Sequence, residues 1–296
     1  MKTKLVFVVY ILTIFFSYSS NVKFYDINSI HGISMREVAS VCKDKNGFIW
    51  ASSKTGVLRL TDSSSHSYQL PYETPNIIHT KLLYEKDSLL AYTNNGQIFY
   101  YNAIFDRFDL LIDIRKPLND SHLVLNRIVV DNNGSILIAS STGLYKYQEN
   151  SLIQLGKGKY ADVHDLVWYD ENHLLIGTNN GFWLMNIHSL SDQQIFKYGD
   201  NNAIKVTKLY YDKTNEMLWV GTSSDGLYLY DVSRNIFRKS QLNPFPKQPI
   251  HAIVANTDST VMVGTDGQGI WELSQSGNKV LNIYKENADN PLSLKG

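Results

Sequence analysis

The sequence predicts an all-β chain, a β-propeller of four-stranded blades with six repeats present, and three observations point to it. One pattern recurs six times: an apolar segment, a polar turn, a β-rich run closing on Gly-Thr or small residues, a short polar loop, a glycine and an aromatic-rich run. The marker glycines Gly56, Gly96, Gly143, Gly181, Gly226 and Gly269 are spaced 40, 47, 38, 45 and 43 residues apart, which matches the roughly 40–45 residues of a four-stranded blade. The runs FIWAS, ILIAS, LLIGT, LWVGT and VMVGT are short and rich in β-branched or aromatic residues, which suits strands covered on both faces and is too short for helices.

The chain opens differently. Lys2 and Lys4 precede an uncharged run of 12 residues, Leu5 to Phe16, apolar but for Thr13, followed by Ser17, Ser19 and Ser20. A basic start, a short apolar stretch and small residues are the parts of a secretory signal peptide. As a helix the run would span about 18 Å, short of the roughly 30 Å hydrocarbon core. Residues 1–20 therefore read as a cleaved signal peptide, and residues 21–296 as a propeller exported to the periplasm or secreted, with no membrane span after cleavage.

The repeats then follow in order. VCKDKNGFIWASSKTGVLRL (41–60) carries Ser52 and Ser53 in place of Gly-Thr. LLYEKDSLLAYTNNGQIFYYN (82–102) and IVVDNNGSILIASSTGLYKYQ (128–148) are looser copies, while LVWYDENHLLIGTNNGFWLMN (166–186) and LYYDKTNEMLWVGTSSDGLYLYD (209–231) are the clearest. IVANTDSTVMVGTDGQGIWEL (253–273) is the sixth. The turns DKNG, DNNG, DEN and DKTN suit hairpins, because Asp and Asn accept local backbone hydrogen bonds and Asn or Gly tolerates positive φ. Alternate residues after each marker glycine face opposite sides of the sheet. A weaker fourth strand follows in RFDLLIDI, QIFKYG, IFRKSQL and VLNIYK. The units lie around 31–71, 76–114, 122–155, 160–198, 203–241 and 248–285. Such a unit cannot cover its own apolar faces and must stack on its neighbours.

Composition narrows the function classes. With 28 Lys+Arg against 28 Asp+Glu, the chain lacks the basic balance by which a nucleic-acid binder displaces counterions. An apolar fraction of 43% sets it apart from disordered regulators. Its one cysteine, Cys42, excludes an intramolecular disulfide framework and a CxxC zinc or redox pair.

The fifth copy, with Asp212, Trp219, Gly221, Thr222, Gly226, Leu227 and Tyr228, resembles the two-component regulator propeller repeat nearly residue for residue, and the resemblance covers about 22–296. It implies the N-terminal periplasmic sensor region of a hybrid two-component histidine kinase, of the kind that controls polysaccharide utilisation, in which seven-bladed propellers precede a membrane helix and a kinase. By that resemblance the chain reads as an incomplete seven-bladed propeller and a truncated sensor, with 286–296 as the lead-in to a next blade and Val22 to Asn28 as an outer strand without its own blade. An open stack would leave two apolar blade faces uncovered, which invites self-association.

The search for chemistry returns mostly negatives. The eight histidines include no HExxH and no pair at metal-ligand spacing, so no metal or cofactor is expected. Asp44 and Asp131 open loops that begin like calcium sites, yet Ser53 and Ser140 stand where the closing Glu belongs, and hairpin turns are the plainer reading. No serine elbow, nucleotide-binding glycine box or phospho-acceptor box is present, so the chain itself is expected to be no enzyme, any kinase activity belonging to a parent protein. Residues leading into the innermost strands, Arg36, Lys81, Arg127, His164, Lys208 and His251, converge on one face in a propeller. Of these, Arg36, Arg127, His164, Lys208 and His251 are the candidate ligand-binding residues, for hydroxyls or carboxylates of an oligosaccharide, although a solvated loop surface is the plainer reading of any one of them. Tyr100, Tyr101, Trp183, Tyr228 and Trp271 suit sugar stacking or, more simply, packing between blades. Two classes follow: a non-catalytic glycan-sensing or stand-alone carbohydrate-binding propeller, and a secreted propeller enzyme of a lyase type, which would bring His164, His251 and an acid together.

Overall fold

The computed structural model describes residues 22–294 apart from 34, 36, 62–63, 73–78, 197–203, 243–244 and 258. The signal peptide read at 1–20 and the candidate site residue Arg36 lie outside the described residues.

Six sheets of four strands follow one another, each an antiparallel meander in chain order, and together they form a six-bladed β-propeller. The innermost strands of the first to sixth blades are Ser40–Lys43, Thr80–Glu85, Leu125–Val130, Val163–Trp168, Val206–Asp212 and Ile250–Thr257. Local chemistry makes the hairpins. Asp44 Oδ1 accepts the N–H groups of Asn46 and Phe48, and its Oδ2 accepts the Trp50 indole N–H. Asp131 likewise takes the N–H groups of Asn133 and Ser135. These carboxylates are turn formers, as the hairpin reading expects. All six marker glycines have positive φ. At Gly56 and Gly269 a Cβ would also sit 2.5 Å from the Tyr68 carbonyl oxygen and 2.2 Å from that of Tyr284, so the third and fourth strands close up there only around glycine.

Blade faces supply the core. Five apolar clusters join the first blade to the second, the second to the third, and so on to the sixth. In two interfaces a branched side chain seats on a glycine of the preceding blade: Val206 over Gly177 and Ile250 over Gly221. Cys42 packs in the first cluster, and burial, then the Asp44 charge, pushes its thiol up to about 11.

Among the described residues no such cluster joins the sixth blade to the first. Register shows the consequence. Val41, Leu82, Ile128, Leu166, Leu209 and Ile253 are equivalent, each facing the preceding blade; Leu82, Ile128, Leu166 and Leu209 are buried, whereas Val41 is 59% exposed. On the opposite face Val254, equivalent to the buried Leu83 and Val129, is 55% exposed. A cavity of about 500 Å³ lies against the first blade, lined by Val41, Ala51, Leu58, Leu60 and by residues of 24–35 and 291–294. The expectation of an outer strand at 22–28 is corrected here. Asp26 caps a five-residue helix, Ile27–His31, instead, by accepting the Asn28 N–H. The preceding segment is tied to the tail by the Phe24 N–H, which donates to the Leu292 carbonyl at 2.9 Å, and by the Phe24 ring edge-on to Tyr284.

Candidate functional site

The six innermost strands surround an axial channel of about 720 Å³. One register position per blade forms a ring: Ser40 opposite Ser52, Lys81 opposite Tyr92, Arg127 opposite Ala139, Asp165 opposite Gly177, Lys208 opposite Gly221 and Ala252 opposite Gly264. Every one of these six innermost-strand positions lines the channel.

The candidates read from sequence divide between this ring and its neighbours. Arg127 and Lys208 belong to it. His164 and His251, taken from sequence as equivalent positions, do not. The innermost strands of the third to sixth blades each carry a β-bulge, and Asn126, His164, Thr207 and His251 are the extra residues. A bulge re-aims its side chain and shifts the count by one. These four residues also line the channel, as does His79. Two of them stitch blades together: Asn126 donates to the Val163 carbonyl at 2.8 Å and Thr207 to the Ile250 carbonyl at 2.7 Å. His164 is held by Asn179 at 2.7 Å beside Asp162 at 3.3 Å, whereas exposed His251 stands 3.8 Å from Asp266. The two histidines therefore face different carboxylates, and the convergence that a lyase-type centre needs is not formed by them.

The electrostatics centre on Asp165. Its carboxylate is buried, accepting the Leu209 N–H at 2.9 Å, with Lys208 Nζ at 3.4 Å and Arg127 Nε at 3.6 Å. Lys81 donates to the Asn126 carbonyl at 3.1 Å. Burial, reinforced by the nearby positive charge of Lys208 and only partly offset by Asp165, pushes the Lys81 ammonium down to about 8. Burial also lowers His79, with Lys81 adding to the effect. The Tyr92 side chain is 1% exposed and lines the channel wall with its hydroxyl near the Arg127 guanidinium.

Sequence reading passed over Asp165 and Tyr92. The signal for Tyr92 was present: it stands where the other blades have Ser52, Ala139, Gly177, Gly221 and Gly264. The aromatic candidates pack between strands and blades. Trp183 stacks edge-on with Tyr160, Tyr228 lies flat on Phe237, Trp271 packs on Phe245 and Tyr101 on Trp50. Tyr100 is the most exposed of them, at 38%.

No protein-family model and no curated protein matches the chain. Solved structures do. The extracellular domain of the hybrid two component system BT4673 from B. thetaiotaomicron superposes with a TM-score of 0.72 at 18% identity, over 92% of this chain and 35% of that one. The corresponding domain of BT3049 from the same organism gives 0.67 at 17% identity, over 88% and 36%. The WD40 propeller domain of Doa1 gives 0.61 at 14% identity, over 83% and 82%. No helix among the described residues is long and apolar enough to cross a membrane. The chain spans about a third of the length of the two extracellular domains, and its fold is similar to the propeller architecture they contain.

Proposed function

We propose that this chain is a non-catalytic ligand-recognition propeller of an exported sensor, of the hybrid two-component kind, and that it binds a glycan in the axial channel. The observation that carries this reading is the convergence of one side chain from every blade on a single water-accessible channel, four of the six being charged. Pockets that take small ligands combine such concavity with a few fixed polar groups. The likeness in fold to extracellular domains of two-component systems supports it, as does the signal peptide read at 1–20. Phosphotransfer would lie with other parts of such a sensor.

Titration calorimetry of residues 22–296 against a panel of neutral and acidic oligosaccharides tests the proposal. Binding of one class, weakened at least tenfold by Arg127→Gln in a folded variant, is the expected result. Binding unaffected by every substitution in the ring would place the ligand elsewhere and overturn the channel as the site.

A further inference from the structure

The ring holds three cationic side chains, Lys81, Arg127 and Lys208, and one carboxylate, Asp165, with no other acid among the described residues lining the channel. Asp165 is already committed to the Leu209 N–H, Lys208 and Arg127. The protonated ring therefore carries an excess of two positive charges at the centre of the propeller. Lys81 has only a neutral carbonyl, that of Asn126, as its hydrogen-bond acceptor. One further donor lies beside these cations. Tyr92 brings a hydroxyl to the channel wall from a side chain that is 1% exposed, next to the Arg127 guanidinium. Buried cations are ordinarily paired. A channel with surplus positive charge beside a tyrosine hydroxyl has the composition of an oxyanion cradle, in which an arginine can hold two oxygens at once and lysines add point charge.

We propose that Lys81, Arg127, Lys208 and the Tyr92 hydroxyl form an anion site that takes the carboxylate or sulfate group of an acidic saccharide. This rests on the reading of the channel as the ligand site and specifies its substrate class. Neutral sugars would leave the cations unpaired and so bind weakly. The site excludes His164 and His251 from direct charge recognition, because His164 is engaged by Asn179 and Asp162 and His251 sits exposed near Asp266. Anion binding should also take up protons above pH 8 through Lys81, which Lys208 (fifth blade), Arg127 (third) and Asp165 (fourth) face, with His79, His164 and His251 lining the same channel.

The experiment is calorimetry at constant ionic strength with sodium sulfate, glucuronate and glucose as probes, on the chain and on its Lys81→Met and Lys208→Gln variants, each checked for folding by circular dichroism. Glucuronate should bind, glucose should not, and each variant should weaken glucuronate at least tenfold. Lys208→Arg should retain most of the binding. Sulfate binding that both variants weaken, with no saccharide bound, would uphold the anion site and overturn the glycan reading. Glucose binding as tightly as glucuronate, with Lys81→Met without effect, would overturn the anion site and leave the glycan reading standing. No binding of sulfate or glucuronate at millimolar concentration would likewise overturn it.

Discussion

Asp165 of the fourth blade accepts the backbone N–H of Leu209 in the fifth at 2.9 Å, so the carboxylate that balances the channel cations also bonds the innermost strand of the next blade. Its removal should act twice, by leaving that N–H unsatisfied and by leaving Arg127 and Lys208 without a counter-charge. Asp165→Ala is expected to cost about 3–5 kcal/mol, the range for breaking a buried ion pair from one side. Urea unfolding measures it, and a cost below about 1 kcal/mol would contradict this account.

Equivalent positions in different blades should differ in what they contribute. Leu166 is fully buried, and its truncation to Ala should cost about 2–5 kcal/mol. Val41, at the same register position in the first blade, is 59% exposed, and Val41→Ala should change stability by less than about 1 kcal/mol. Equal costs in parallel denaturation curves would mean that the first blade is covered in solution.

The in-strand glycines make a second matched pair. A Cβ on Gly221 would meet Ile250 at 2.7 Å, so Gly221→Ala must displace the sixth blade and is expected to cost about 1–3 kcal/mol. At Gly264 the nearest atom would be the Ala252 Cβ, at an ordinary 3.5 Å. Gly264→Ala should be neutral or slightly stabilising, as for other glycines replaced where space and φ allow.

Lys81 sets a pH dependence. Its ammonium is pushed from 10.5 down to about 8 in the fold, so the unfolded chain binds more protons between those values and stability should rise with pH across that window. Below pH 8 the full penalty of burying the charge is present. Lys81→Met removes it, and the variant should be more stable than the parent by about 1–3 kcal/mol at pH 7, the gap closing towards pH 10.5. A gap that stays constant with pH would show that Lys81 keeps its ordinary titration.

The uncovered faces should be visible in solution. Val41 and Val254 are exposed on the first and sixth blades, with exposed Val38 lining the same cavity as Val41, and patches of this kind favour association. Sedimentation velocity should show a concentration-dependent shift that Val254→Lys reduces. A single monomer species over a hundredfold range of concentration would exclude self-association through these faces.

Much of the fold was legible because its determinants are local. Asp44 and Asp131 bond to backbone groups within four residues, and the marker glycines answer to their own φ, so turns and strands are written in short stretches of chain. The site was legible only in part. Arg127 and Lys208 could be placed by counting from each repeat, whereas the same count put His164 and His251 one residue off the ring, because a β-bulge adds a residue without changing the pattern around it. The resemblance implied an outer strand at Val22 to Asn28, but Asp26 caps the helix Ile27–His31 there.

The sequence by itself determined six four-stranded sheets and the glycines that join their strands, since turn chemistry and period-two alternation act within a few residues. Only the tertiary structure decided that Lys81, Arg127, Asp165 and Lys208 share one ring and that Val41 and Val254 lie bare. Those facts depend on neighbours some forty residues away in the chain, brought together by blades burying faces that none of them can cover alone.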